Sequence, residues 1–249
     1  MPAVSQEQKR RQRIEDEFKY LLQSAWTRPV ACQNECQPPH KCSCRRKIVH
    51  VYALERWWIE HHPESPEQTR GHRFLDETPP APHRTFQVRY QNIFTGDQSC
   101  RRVLSLLLEQ GYHHLIDRFY RADVNDRYLM RSQDDQNLRE SLLEVHSRKE
   151  VDRIIQDFHR DKWAYCPLNL TLDMDVNLHG TKVILPFCDK IKLPEKGGTA
   201  SIYWVAVQKD LITDTALTDA LQKSLYKDDE FGEVSFPVRT PLRHILNDT

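Results

Sequence analysis

Long apolar runs are missing from this chain of 249 residues, and none approaches the length a bilayer-spanning helix requires. An excess of either charge is missing too. Lys plus Arg and Asp plus Glu number 36 each, so no global field points to nucleic acid or to an anionic membrane as partner. The N-terminal stretch MPAVSQEQKRRQRIEDEF has no apolar core of the kind a secretory signal carries. These absences lead to the expectation of an intracellular protein, in cytoplasm or nucleus, that contacts neither membrane nor nucleic acid. There is no Gly-x-Ser-x-Gly elbow and no His-Glu-x-x-His pair, which removes the signatures of a serine hydrolase and a zinc peptidase.

Cysteine, by contrast, is locally abundant. Four of the seven lie between Cys32 and Cys44, with His40 among them, in the order Cys32, Cys36, His40, Cys42, Cys44. In a reducing compartment such crowding suggests metal or free thiols before disulfides. Tetrahedral zinc needs four Cys or His ligands, and these residues supply the types required. The spacing is not that of paired CxxC knuckles, and the single residue between Cys42 and Cys44 sends their side chains apart in an extended chain. A structural zinc site and a loop of free thiols both remain open.

The chain reads as α+β, mostly helical at first and then a small antiparallel β-sheet. Residues 6–24 carry Ile14, Phe18, Leu21 and Leu22 at helical spacing. The basic run Lys9, Arg10, Arg11, Arg13 reads as a solvated helix face balanced by Glu15, Asp16 and Glu17. Residues 48–61 suit a strand or, better, a short helix, with Val51, Leu54, Trp57, Trp58 and His61 along one side and the two Trp as core or interface anchors. Pro63 to Pro82 holds five prolines among polar residues and reads as a linker. Ser99 is placed to cap a helix whose body is Val103, Leu104, Leu106, Leu107 and Leu108, and Gly111 to end it. Leu115, Ile116 and Phe119 predict a second short helix, and 123–129 a loop docking an anchor. Residues 137–160 predict helix again through Leu138, Leu142, Leu143, Val145, Val151, Ile154, Ile155 and Phe158, with a break near Ser147.

Near residue 165 the period changes from helical to alternating. Leu168, Leu170, Leu172, Met174 and Val176 alternate with polar residues, as in a strand. Asp173 and Asp175 share the opposite face and read as its solvent side. The stretch KIKLPEKGGTASIYWVAV, Lys190 to Val207, then reads as strand, Gly197-Gly198 turn and strand. A short helix follows at 215–226 on Leu217, Leu221 and Leu225, then an acidic turn at 227–233, then a strand-like Val234 to Arg239. The expected division is 1–62 N-terminal helix and Cys-rich segment, 63–84 linker, 85–164 helical module, and 165–249 sheet.

Three stretches carry a resemblance to a fungal family of kinase-like proteins. They are RVLSLLLEQGYHHLIDRFYRADVNDRYL at Arg102 to Leu129, KWAYCP at Lys162 to Pro167, and ILPF through GGTASIYWVAV from Ile184. In that family a helical region feeds a protein kinase domain through a Trp-x-[Phe/Tyr]-x-Pro connector. The resemblance covers roughly residues 100–210 and implies that 165–249 is an incomplete kinase N-lobe. A kinase phosphate loop is G-x-G-x-x-G-x-V. Alignment on Ile202 puts Glu195, Gly197 and Ala200 at the three glycine positions, with Gly198 adjacent. A carboxylate at Glu195 repels phosphate, and the Cβ of Ala200 narrows its approach. The lysine that holds the α- and β-phosphates is replaced by Arg239 in Phe236-Pro237-Val238-Arg239. Gly197, Gly198 and Arg239 are thus the degenerate nucleotide-site positions. His159-Arg160-Asp161 spells a catalytic triplet, but it precedes the loop in a helical segment, and Cys166 stands where the metal-binding Asn is required.

Only ten residues follow Arg239, too few for the lobe that holds catalytic base and metal ligands. The expectation is therefore a non-catalytic kinase-like protein with no catalytic residues, for which ATP binding is not expected. It would act by binding or regulating another protein. A zinc-stabilised interaction module and the N-terminal part of a serine/threonine kinase are the other readings.

Overall fold

The computed structural model describes residues 6–30, 46–63, 65–76, 90–130, 135–171, 183–185, 187–192, 203–212, 214–222, 225–228 and 232–235. The fold is α+β. It divides into two units: Met1–Thr27 with Val49–Tyr165, and Arg28–Ile48 with Cys166–Thr249.

The helical unit opens with α1, Gln6–Leu21. Its Ile14 and Phe18 are buried at i and i+4, and Leu22 and Trp26 continue the stripe. Leu22–Trp26 is a π-helical turn in which the Thr27 N–H donates to the Leu22 carbonyl, and Trp26 packs edge-on against Phe18 at 6.0 Å between centroids. The chain passes between units within β1, Thr27–Pro29, and β2, Lys47–Val49, which pair.

Helix α2, Val51–Ile59, is capped by His50, whose Nδ1 accepts the Ala53 N–H. Trp57 and Trp58 are both buried although neighbouring helical residues point about 100° apart, because α2 is covered on two sides. Trp57 packs on Phe18 at 5.8 Å and donates to Glu17, while Trp58 donates to the buried Ser105 hydroxyl at 2.7 Å. His61 does not join this buried side. It is exposed in β3, His61–His62, after the helix has ended at Ile59.

The stretch expected as linker is folded as far as Asp76. β3 pairs antiparallel with β4, Ser65–Thr69, and α3, Arg70–Asp76, buries Phe74 and Leu75. Its polar composition conceals this, because Arg70 and Arg73 are buried by pairing. Arg70 reaches Glu60 at 3.3 Å and Glu17 at 3.4 Å over the Trp57 ring, and Arg73 bonds the His62 Nδ1 at 2.9 Å. Arg28–Ile48 of the expected N-terminal segment belongs to the second unit, while 49–76 and 90–165, on either side of the undescribed part of the expected linker, belong to the first.

After α4, Tyr90–Phe94, comes α5, Arg101–Glu109, with Val103 through Leu108 all buried. A helix apolar on every side belongs at the centre of a unit. Each fully buried Leu there contributes roughly 1.5–3 kcal/mol of burial free energy. Gly111 ends α5 at φ +78°, with Tyr112 N–H to Leu107 O and Gly111 N–H to Leu108 O closing a Schellman motif. Helix α6, Ile116–Arg121, buries Ile116 and Phe119 and ends in the same motif, with Asp123 in the glycine position at φ +58°. α7, Gln136–Leu143, and α8, Arg148–Asp161, are separated at Ser147 as expected, and Ser147 forms a capping box with Glu150. Leu143 is exposed and Val145 half-buried, so neither belongs to the core stripe.

The second unit holds an antiparallel sheet. β5, Phe187–Lys192, pairs with β6, Tyr203–Gln208, in the expected hairpin. Helix α9, Thr215–Leu221, is capped by Asp214 and followed by β7, Leu225–Asp228, and β8, Gly232–Ser235. The strand order is β5-β6-β8-β7. Leu225 thus begins a strand and is not part of the preceding helix. Phe187, Val205 and Val207 bury one sheet face against Leu168, Leu185, Ile212, Leu217 and Leu221. Of the alternating run from Leu168, Leu170 bridges Ile212, and 172–182 lie outside the described residues. Among the described residues no helix is long and apolar enough to cross a membrane.

Candidate functional site

The residues singled out from sequence lie outside the described residues: Cys32, Cys36, His40, Cys42 and Cys44, and Gly197, Gly198 and Arg239 with Glu195 and Ala200. What is described of the hairpin is its pairing, which reaches Lys192 opposite Tyr203. Among the described residues no group of three or more His, Cys, Asp or Glu is placed to hold a metal ion.

The polar side chains that do converge lie in 123–129, expected as a loop docking an anchor, and at Asp135 beyond it. The first focus is Asp126. The Oδ1 of Asp126 accepts the N–H of Arg102 at 2.9 Å and of Val103 at 3.1 Å, and so caps α5 from beyond its far end. Ser99 does not cap. Its hydroxyl donates to Asp126 Oδ2 at 3.2 Å or to the Ile93 carbonyl at 3.4 Å, and accepts from Arg101. Residue Cys100 occupies the N-cap position without a side-chain cap. The loop is also held by the Asp126 N–H, which donates to Ser99 O, and by the Asn125 side chain, whose Oδ1 accepts the N–H of Arg127 and of Tyr128.

Burial shapes the acid–base character here. It pushes the Asp126 carboxyl up to about 6, against the N–H bonds from Val103 and Arg102 and the nearby Arg102 guanidinium. Burial also pushes the Cys100 thiol far above its ordinary value, helped by the negative charges of Asp126 and Asp123. Cys100 therefore stays a protonated, apolar side chain and not a nucleophile.

The second focus is Asp135, at the N-cap position of α7. Its carboxylate makes no cap bond. Instead it accepts the Tyr128 hydroxyl on Oδ1, and its Oδ2 pairs with the His159 Nε2 at 2.7 Å. The buried Lys162 ammonium lies 5.7 Å from the Tyr128 ring centroid and 5.0 Å from that of Trp163. One carboxylate thus joins the loop to α8.

His159-Arg160-Asp161 stands at the C-terminal end of α8, with His159 turned to Asp135 and Arg160 and Asp161 paired with each other. Arg160 pairs with Asp157 and Asp161, and Asp161 accepts Gln110 Nε2 at 2.8 Å. Burial works against ionisation of Asp161, but hydrogen bonds from Arg160 and Gln110 hold its carboxyl below the usual range. Tyr165 is fully buried and donates to Glu109; burial, with the Glu109 charge, raises its hydroxyl well above the ordinary value. These groups tie α5 to α8 and to the helical turn Lys162–Tyr165.

No local pattern marks Asp126 as the cap of α5, since the N–H groups it accepts lie 23 and 24 residues before it. No family model, curated protein or solved structure matches the chain.

Proposed function

We propose that this chain is a non-catalytic, kinase-like protein that acts by binding or regulating another protein. The observation that carries the reading is the order of parts. A helical unit ends at Tyr165, within Lys162-Trp163-Ala164-Tyr165-Cys166-Pro167. An antiparallel sheet follows, opened by the β5–β6 hairpin whose connecting stretch carries Gly197-Gly198. That is the order the resemblance implies for a kinase N-lobe behind its helical region. The chemistry argues for binding without turnover. Glu195 and Ala200 stand at two phosphate-loop glycine positions and Arg239 at the lysine position.

Thermal unfolding of the full chain with and without a magnesium–ATP analogue tests the nucleotide half of this reading. No change in melting temperature is expected. A rise that Arg239→Ala abolishes would overturn it. For the binding half, the tagged full chain recovered from its native cells should carry a stoichiometric protein subunit. A chain recovered alone would count against it.

A further inference from the structure

We draw no further inference here: the strongest candidate, the side-chain cluster of His113 and His114 ahead of α6 with His146 and Glu150 around the start of α8, spaces its rings 5.9 and 6.5 Å apart between centroids and brings no three donor groups into place for a metal ion among the described residues.

Discussion

A Cβ built on Gly71 would stand 2.5 Å from Cζ of Phe94, with two further ring carbons at 2.7 and 2.8 Å. α3 and α4 approach this closely only because the residue is glycine. The Phe94 ring has little room to retreat, since it is buried and lies 5.6 Å from Trp58. Gly71→Ala should therefore destabilise the helical unit by about 1–3 kcal/mol. Urea unfolding followed by Trp fluorescence would read this directly. Gly96→Ala is the contrast, because that Cβ meets nothing within 4 Å and only the backbone at φ +75° resists it.

The two Schellman ends respond in opposite directions. Gly111→Ala places a side chain at φ +78° and should cost about 1 kcal/mol. Asp123→Gly relieves a left-handed Asp and removes a carboxylate from a helix C-terminus, at the loss of one bond from Asn125. It should raise the melting temperature slightly. Differential scanning of the pair checks both signs, and a stabilised Gly111→Ala would refute the capping assignment.

Ser147 and Glu150 cap α8 reciprocally, Ser147 Oγ accepting the Glu150 N–H and Glu150 accepting the Ser147 N–H at 3.0 Å. Removing the hydroxyl in Ser147→Ala should cost about 1 kcal/mol at neutral pH. The hydroxyl and N–H of Ser147 hold the Glu150 carboxyl below its ordinary value. A depressed carboxylate stabilises the fold above its unfolded value and ceases to do so as pH falls through the folded value. The difference between wild type and Ser147→Ala should narrow in acid, as denaturant midpoints across pH would show.

Much of the helical unit is legible in sequence because its helices bury apolar stripes. The Ser147 break, the Gly111 stop and the docking of the 123–129 loop by an apolar anchor all follow from local pattern. Helix α3 was illegible for a physical reason: Arg70 and Arg73 are buried only because Glu17, Glu60 and His62 come from other elements to meet them. The α5 cap was misread because Ser99 and Asp126 both suit the role. Only the chain reversal through α6 brings the carboxylate to the two N–H groups. The β5–β6 hairpin was legible from its alternation and its glycine pair. The parallel bridge of Leu170 to Ile212 was not, since nothing local encodes it.

Zinc content separates the two readings of Cys32, Cys36, His40, Cys42 and Cys44. A loop of free thiols leaves the purified chain without stoichiometric metal, and all seven cysteines titrate with a thiol reagent once it is unfolded. One zinc per chain, lost in Cys36→Ser and in Cys42→Ser, would make the metal part of the fold.

The proposed kinase-like reading is tested most directly by introducing the residues that a kinase phosphate loop requires. Calorimetry with a magnesium–ATP analogue should be silent for the wild type. It should show saturable binding for the combined variant Glu195→Gly, Ala200→Gly and Arg239→Lys, which supplies the glycines and the lysine of the proposed phosphate site. Binding by the wild type, or silence from a folded triple variant, would contradict the account.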